Sequence, residues 1–381
     1  MTLEPGNLAL IDIIRAEIKD RGPQSFAWFM EQALYHPEHG YYSSGRCAIG
    51  RHGDYFTNVS VGPLFGRLLT AQFVEIWKQL GETDNFVIVE QGAHHGEFAR
   101  DVLESARKCY PDFFAAFRYR IVEPFPILQD RQSQTLQSFR DKVEWRDSIE
   151  PFVGVHFSNE LLDAMPVRLI GQSGEKLVDL QNDEFVLGEN GVEGAQGATT
   201  SKPSRRKAAF NQAALDWIEN VAANLQRGYV ITVDYGYSRD KFLQTVQVRA
   251  QHRHLDSPFE RIGQADITAH VNWTTIAECA QRNGLRIAGF TDQHHFLTGI
   301  ISEWPELPQP RLFDSTVRQL PDDRVHIADG DPQMKRELQT LLHPEMLGRA
   351  FQVLALAKDR DPGAPLAGFK FAREPCSALD L

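Results

Sequence analysis

The chain of 381 residues is long enough for one large domain with additions or for two domains, and its composition is ordinary for a soluble globular protein, with 42% hydrophobic and 24% charged residues. A formal net charge of −11 argues against non-specific nucleic-acid binding. The sequence contains no run of about 18 apolar residues, so no transmembrane helix is expected. The N-terminal residues resemble neither a secretion nor a transit signal, and the cysteines form no CxxC pair, so we expect a cytoplasmic protein with reduced thiols at Cys47, Cys109, Cys279 and Cys376.

Residues 1–80 are predicted to form an N-terminal helical region with a long loop. Apolar residues recur at helical spacing in 8–18, and 26–34 favours a second helix. The segment 40–58 is rich in glycine, histidine, tyrosine and charge, and it is too long for a simple connection. We interpret it as a lid over a ligand or, alternatively, as a loop that packs the N-terminal region. A third helix is predicted at 63–80.

Strands and helices alternate from residue 81 onwards. A strand at 86–90 precedes a helix at 96–108, and a strand at 119–123 precedes a helix at 126–138. A helix at 274–283 and further strands are predicted, the strands at 143–145, 153–158, 229–234, 285–291 and 350–357. This alternation predicts an α/β fold with a doubly wound, mostly parallel sheet. Its first half is assigned to 81–170, which would bind the ligand, and its second half to 228–358.

The segment 171–227 interrupts this alternation and is interpreted as an inserted α+β segment on the substrate side. It contains a candidate hairpin at 177–187, a glycine-rich polar stretch at 188–210 and a candidate helix at 211–225. The last residues, 359–381, are predicted to be a loosely held tail because prolines and a glycine cluster near their start.

The most informative stretch is 86–98, which reads FVIVEQGAHHGEF. A strand ends in the acid Glu90, a turn runs from Gly92 to Gly96, and a helix begins near Glu97. Glycine lets the backbone approach a ligand closely because it has no Cβ, and a helix start offers unpaired N–H groups. This order of strand, acid, turn and helix is typical of the entry to a nucleotide-type cofactor site.

The glycine pattern separates the candidate cofactors. A dinucleotide turn requires G-x-G-x-x-G, but position 94 is His94, and the sequence has no Walker phosphate loop. S-adenosylmethionine (SAM) needs no phosphate turn, and its sulfonium and amino groups favour nearby carboxylates. Its ribose hydroxyls suit an acid at the end of the second strand, here Glu123, and Glu160 follows the fourth strand. SAM is therefore the predicted cofactor, with helix capping as the alternative interpretation of each acid.

Short motifs in a fixed order carry a resemblance to a known family. They are HPEHGYY, IGRHGDYFTN, FG at 65–66, VEQGAHHGEFARDVL, IVEPFPILQDRQ, SNELLDAMPV, VDYGY, GQADITAHVNW and LLHPEMLGRAFQVLALAK. The chain resembles the bacterial and mitochondrial methyltransferase family that includes the complex I assembly factor methylating an arginine of a respiratory subunit. The resemblance implies a class I SAM-dependent methyltransferase (Rossmann-like) fold, with a seven-stranded sheet whose last strand is reversed and with SAM bound by the half at 81–170.

The resemblance also implies roles for individual residues. The family's glycine motif, E-L-G-P-G-x-G, is matched by Glu90, Gly92 and Gly96, whereas His94 stands in place of a glycine. If that position has positive φ, a histidine there costs about 1 kcal/mol. The family's helix glutamine matches Gln132. The implied cofactor-binding residues are Gly53, Asp54, Glu90, Gly92, Gly96, Glu123 and Asn159.

Two carboxylates and a histidine are the candidate catalytic residues. A guanidinium acceptor needs carboxylates that hold the cation, and Glu160 and Asp163 would share one face if a helical turn follows the fourth strand. A hydroxyl acceptor would need a base instead, for which His270 is the candidate. The adjacent histidines at 94–95 and 294–295 are poorly arranged for chelation, so no metal is predicted.

The predicted function is transfer of a methyl group from SAM to a protein side chain, with arginine as the first candidate. Two alternatives stay open. One is a small-molecule O- or N-methyltransferase, and the other is a non-catalytic assembly or binding protein that has lost SAM through the change at His94. The predicted partner is a protein or small-molecule methyl acceptor, without nucleic acid or membrane, and a homodimer is left open.

Overall fold

The computed structural model describes residues 6–45, 57–171, 174–189, 208–239, 246–251, 253–303, 332–359 and 365–381. The chain divides into two compact units. The first contains Met1–Phe56, Leu162–Trp217 and Lys241–Val271, and the second contains Thr57–Leu161, Ile218–Asp240 and Asn272–Leu381. The predicted N-terminal segment 1–80 is thus divided between the units, and the inserted segment 171–227 lies mainly in the first. The domain boundaries given above stay a prediction.

The second unit is built around a mixed sheet, and seven of its strands are numbered here in chain order. They are β1 (Phe86–Gln91), β2 (Phe117–Val122), β3 (Val143–Arg146), β4 (Phe152–Asn159), β5 (Leu225–Tyr237), β6 (Arg286–Asp292) and β7 (Phe351–Lys358). They lie in the order β6-β7-β5-β4-β1-β2-β3, and the eighth and shortest strand is Val271–Asn272. Strands β1 to β5 run parallel, whereas β7 is antiparallel to both β5 and β6. The predicted α/β sheet with a reversed last strand is confirmed.

The helices predicted at 63–80, 96–108, 126–138 and 274–283 form with small shifts at their ends, whereas the other helices of this unit were not predicted from the sequence. The predicted helix at 126–138 ends at Thr135 and is followed by a 3-10 turn. The helices are Asn58–Val61, Leu64–Gln79, Glu97–Cys109, Pro111–Ala116, Pro126–Thr135, Trp273–Arg282, Gln293–Glu303, Pro332–Leu342 and Pro375–Ala378, with 3-10 turns at Gln137–Phe139 and Ala367–Phe369. The helix Gln212–Asn224 spans the boundary between the units.

An aromatic cluster fixes two of these helices on β4. Phe157 of β4 is fully buried and stacks on Phe98, with ring centroids 4.4 Å apart. Phe65 and Phe73, from the helix Leu64–Gln79, pack against the same ring at 6.4 and 5.8 Å. Burying large aromatic side chains supplies much of the free energy of folding. The cluster therefore holds in place the strand whose end carries Asn159.

The first unit combines two helices with two small sheets. The helices are Leu8–Arg21 and Phe26–Tyr35. One sheet contains Gln24–Ser25, Arg168–Ile170, Glu175–Gln181, Glu184–Glu189 and Ala208–Phe210, and the other contains Val246–Ala250, Arg253–Leu255 and Asp266–Ala269. The first unit has its own hydrophobic core. The apolar side of the first helix packs into that core through Leu10, Ile11, Ile14 and Ile18, while Leu8 is exposed.

The inserted segment and the end of the chain test two further predictions. The hairpin forms between Glu175–Gln181 and Glu184–Glu189, while most of the glycine-rich stretch lies outside the described residues. The expectation of a loosely held tail is wrong for 365–381, because Leu366, Phe369 and Leu379 are buried and the Gly368 N–H donates to Gln72 Oε1. Within the described ranges, no helix has the length and apolar character needed to cross a membrane.

Candidate active site

The turn after β1 has the backbone that its glycines predict. β1 ends at Glu90 and Gln91, and φ is +83° at Gly92 and +85° at Gly96. Gly96 is also the N-cap of the helix Glu97–Cys109. Glycine adopts these left-handed values without the steric cost that a Cβ brings. The predicted order of strand, acid, glycine turn and helix is confirmed.

Close packing is a second reason for glycine at these two positions. A Cβ on Gly92 would lie 3.3 Å from Leu161 Cδ1, and a Cβ on Gly96 would lie 3.3 Å from Leu136 Cδ1. Leu136 directly follows the helix Pro126–Thr135, which itself follows β2. A side chain at either glycine would therefore require a leucine to shift.

His94 occupies the left-handed region within this turn. Its φ is +46°, so the condition for a steric cost at this position is met. The His94 carbonyl accepts a hydrogen bond of 2.9 Å from Gln132 Nε2, and its ring stacks on His95 with centroids 3.6 Å apart. These contacts, made by a main-chain oxygen and by a ring face, help to hold the turn in a conformation that histidine alone disfavours.

The side chains of His94, His95 and Glu97 converge beside the turn. One potential metal-ligand atom from each lies within 4.8 Å of the other two. The expectation that adjacent histidines are poorly arranged for chelation is therefore wrong for this pair, whose rings stack. Arg131 Nη1, however, lies 3.0 Å from His95 Nε2 and places a fixed positive charge beside the group. That charge opposes a bound cation, and the lack of a metal stays a prediction.

Glu90 is a buried carboxyl at the end of β1. Its side chain accepts a hydrogen bond of 2.7 Å from the Tyr119 hydroxyl, which reaches it from β2. Burial raises the pKa of Glu90 to about 8, although the Tyr119 hydrogen bond lowers that pKa in part. Without a ligand, the neutral acid is therefore the main form at pH 7.

The stability of the ligand-free protein should depend on pH through Glu90. Its pKa is higher in the folded protein than the ordinary 4.5, so the folded state binds this proton more tightly than the unfolded state. The resulting stabilisation is fully present below pH 4.5 and is lost as pH rises through about 8. We expect the free energy of unfolding of Glu90→Gln, relative to that of the parent, to rise by on the order of 2 kcal/mol between pH 6 and pH 9. The reason is that the amide carries no charge to desolvate.

Chemical denaturation of both proteins without ligand at pH 6, 7.5 and 9 measures this gain. The matched control is Asp84→Asn, which changes an exposed acid shortly before the same strand. A Glu90→Gln difference from the parent that does not change with pH would show that Glu90 titrates at an ordinary pH.

Glu123 is the buried acid that follows β2. Its Oε1 accepts the Phe125 N–H at 3.1 Å, and its Oε2 accepts Gln132 Nε2 at 3.0 Å. Burial raises the pKa of Glu123 to about 7, while these two donors act in the opposite direction. The carboxylate is thus held by two donors and carries its charge from about neutral pH upwards.

A polar group forms after β4, at the carboxyl end of the parallel strands. Asn159 Nδ2 donates to Glu160 Oε1 at 2.8 Å, and the Asn58 N–H donates to the same oxygen at 3.3 Å. Asn58 Nδ2 also donates to Asn159 Oδ1 at 2.9 Å. A capping box at the start of the helix Asn58–Val61 fixes the main chain there. Two asparagines therefore orient the Glu160 carboxylate.

The two candidate catalytic carboxylates do not share a helix face. Glu160 has a φ of +54°, and residues 160–165 form bends and a turn instead of a helix. Glu160 belongs to the second unit, whereas Asp163 and His270 belong to the first. There, the Asp163 carbonyl accepts the Ala269 N–H at 2.8 Å, and His270 directly follows the strand Asp266–Ala269. The two remaining candidates, Gly53 and Asp54, lie outside the described residues.

Three partners of this site were not predicted from the sequence. Tyr119 binds Glu90, Asn58 binds Glu160, and Trp145 Nε1 donates to Gln132 Oε1 at 3.0 Å. The T-x-x-S pattern at 57–60 could have placed Asn58 at a helix start. Tyr119 and Trp145 look like ordinary apolar residues of strands, so their polar atoms gave no separate signal.

Comparison with known proteins shows that the chain is similar to SAM-dependent methyltransferases. A model of a family described as S-adenosyl-L-methionine-dependent methyltransferases matches residues 68–291, more than half of the chain. The chain is 26% identical over 397 residues to "Protein arginine methyltransferase NDUFAF7 homolog, mitochondrial" of Drosophila melanogaster, covering 93% of this chain and 86% of that protein. It is 23% identical over 388 residues to "Protein arginine methyltransferase NDUFAF7, mitochondrial" of Danio rerio, covering 92% and 87%.

Solved structures show the same likeness. The crystal structure of a Burkholderia thailandensis protein bound to S-adenosyl-homocysteine matches with a TM-score of 0.81 and 27% identity over 97% of this chain and 96% of that chain. A native structure from the same organism matches with a TM-score of 0.77 and 26% identity over the same shares. The class I fold expected from the motifs is confirmed by these likenesses together with the strand order.

Proposed function

Because the chain belongs to the family of S-adenosyl-L-methionine-dependent methyltransferases, we propose that it transfers the methyl group of SAM to an arginine side chain of a protein. The relatives named as protein arginine methyltransferases support this acceptor. The observation that carries the proposal is the Glu160 carboxylate, which Asn58 and Asn159 orient at the end of β4. Carboxylates bind guanidinium groups through charge-assisted hydrogen bonds, which are about twice as strong as neutral ones.

The residues at the end of β1 and β2 fit SAM. The glycine turn has the left-handed backbone that glycine adopts freely, and two buried carboxyl groups, Glu90 and Glu123, lie at the ends of neighbouring parallel strands. Such acids suit a ligand that carries a sulfonium, an amino group and ribose hydroxyls. We assign cofactor binding to Glu90, Gly92, Gly96, Glu123 and Asn159, and we extend it to Gly53 and Asp54.

Methyl transfer to arginine asks the protein mainly to position the acceptor. The cofactor supplies an electrophilic methyl group on a sulfonium. Transfer would replace the sulfur–carbon bond of SAM with a nitrogen–carbon bond, leave S-adenosylhomocysteine, and release one proton from the attacking nitrogen to water. Glu160 would bind the guanidinium and turn one nitrogen toward the methyl carbon. Asp163 stays a predicted second carboxylate, and His270 would act as a base only for a hydroxyl acceptor.

Labelled SAM distinguishes arginine from other acceptors. The protein is incubated with SAM carrying a tritiated methyl group and a cell extract that is then separated into protein and small-molecule fractions. We expect label in the protein fraction, on methylarginine identified by mass spectrometry. Glu160→Gln should lose most of the transfer while still binding SAM, and Asp84→Asn should keep it. Label confined to small molecules would establish the small-molecule alternative instead.

The turn should tolerate glycine at position 94. Glycine adopts a φ of +46° freely and removes a ring that lies beside the proposed cofactor site. We therefore expect His94→Gly to bind SAM at least as tightly as the parent, as measured by titration calorimetry. A small gain with activity kept in both proteins would mean that His94 is a tolerated change. A clear weakening in His94→Gly would contradict the argument from crowding and strain.

Single-turnover assays on the same two proteins separate the remaining explanations for His94. A parent that binds SAM poorly and a variant that recovers binding would indicate that His94 weakens cofactor binding. A variant that binds SAM well but transfers methyl groups slowly would instead indicate that the His94 side chain contacts the acceptor.

The other expectations belong to the same proposal. The methyl acceptor is the proposed binding partner of the protein. The net charge of −11 does not support nucleic acid or an anionic membrane surface as an additional partner. A cytoplasmic location is supported by the dispersed cysteines, whereas the relatives named above are mitochondrial proteins. A homodimer stays open, and sedimentation of the purified protein measures it.

A further inference from the structure

Gln132 is a buried amide that joins the ends of three neighbouring strands. It is completely buried, and Leu128 is the other buried residue of its helix. Its Nε2 donates to Glu123 Oε2, after β2, and to the His94 carbonyl, in the turn after β1. Its Oε1 accepts the indole N–H of Trp145, in β3. A buried amide costs free energy unless it is hydrogen-bonded, and here both of its ends are bonded.

The partners of Gln132 settle how its amide is oriented. The indole N–H of Trp145 can only donate, and the His94 carbonyl can only accept. Exchanging the amide oxygen and nitrogen would therefore place donor against donor and acceptor against acceptor. The Trp145 bond thus turns both N–H groups of Gln132 toward the carboxylate and the turn.

Glu123 keeps acceptor capacity after these bonds are made. Its two oxygens each accept one donor, the Phe125 N–H on one and Gln132 on the other. A carboxylate oxygen has two lone pairs, so each oxygen retains one for a ligand. A carboxylate with one remaining lone pair on each oxygen can accept hydrogen bonds from two neighbouring hydroxyls, such as the two hydroxyls of a ribose. That match depends on holding the carboxylate in a single orientation.

We propose that Gln132 is a positioning residue for the ribose of SAM, fixing the Glu123 carboxylate and the glycine turn in one arrangement without touching the cofactor. The proposal rests on the proposed function, since it requires SAM to bind at this edge. Orienting the acid in the free protein removes a conformational entropy cost that binding would otherwise carry. Loss of Gln132 should therefore reduce the recognition of the hydroxyls more than the overall affinity for the ligand.

Two ligands measure this role. Calorimetry gives the Kd of S-adenosylhomocysteine and of its 2′-deoxy analogue for the parent, Gln132→Met and the control Gln134→Met, an exposed position in the same helix. We expect the parent to prefer the hydroxylated ligand by about tenfold and Gln132→Met by about twofold, since one hydrogen bond to a charged group is at stake. Gln134→Met should keep the parent's preference. A general loss of structure would weaken both ligands equally and leave the ratio unchanged.

Further variants identify the route through Glu123 and guard against misfolding. In a Glu123→Ala background, adding Gln132→Met should leave the ratio unchanged, because the group it positions is gone. Trp145→Phe removes the bond that orients the amide and should lower the ratio in the same direction, so it tests the proposal even if Gln132→Met fails to fold. A parent-like ratio in folded Gln132→Met or Trp145→Phe overturns this inference alone. Failure of the parent to bind either ligand overturns it together with the proposed function.

Discussion

Replacing Glu123 with alanine is expected to weaken SAM binding about 5- to 150-fold, because hydrogen bonds to a charged acceptor are worth roughly 1–3 kcal/mol. The carboxylate is buried and held by Phe125 and Gln132, so little else can move into its place. Burial raises the pKa of Glu123 to about 7. The parent should therefore bind SAM more tightly as pH rises from 6 to 8, since the charged form accepts hydrogen bonds more strongly.

Two further variants make this result specific. Glu123→Gln keeps the shape but cannot ionise, so its affinity for SAM should lose the part of the pH dependence that comes from Glu123. Asp130→Ala, at an exposed position in the adjacent helix, should bind like the parent. An unchanged Kd in well-folded Glu123→Ala would exclude Glu123 from the cofactor site.

Phe157→Ala should lower the free energy of unfolding by about 3–5 kcal/mol, the usual cost of removing a buried aromatic side chain. The ring stacks on Phe98 and contacts Phe65 and Phe73, so its loss leaves a cavity between β4 and two helices. Because β4 ends in Asn159, the variant should also bind SAM more weakly near its melting temperature than well below it.

Denaturant unfolding followed by circular dichroism measures this loss. Ile127→Ala, which removes an exposed apolar side chain from the same unit, should change the stability by less than about 0.5 kcal/mol. Phe157→Leu should fall between the two. A loss below about 1 kcal/mol in Phe157→Ala would mean that neighbouring rings refill the space, in which case the cluster does not fix β4.

The parts of the fold that the sequence predicts best are those with long apolar runs. β1, β4 and β7 are nearly continuous apolar segments because both faces of the central sheet are covered, and such runs are easy to recognise. The strands of the first unit were mostly missed. Arg168–Ile170, Arg253–Leu255 and Ala208–Phe210 have three residues each, too few to show a period of two, and their pairing depends on contacts distant in sequence.

The site divides in the same way. The strand-end acids and the glycine turn follow from local patterns, so the sequence alone is enough to single out Glu90, Gly92, Gly96 and Glu123. The bend after β4 could not be predicted, because a left-handed glutamate has no sequence signature and the N-E-x-x-D spacing suits a helix equally well. The bonds from Asn58 and Tyr119 join segments 102 and 29 residues apart, a kind of information that only tertiary packing holds.

The position of β7 has a consequence for how the protein is made. β7 is the last of the seven strands in the chain, yet it lies between β5 and β6. At synthesis rates of about 5–20 residues per second, β7 is completed roughly 3–13 s after residue 292 is added. During that time the edges of β5 and β6 that pair with β7 have no partner strand. Open strand edges are templates for pairing with other chains. A nascent chain is therefore exposed to aggregation during this interval, and premature termination before residue 351 should yield an insoluble fragment instead of a weakened enzyme.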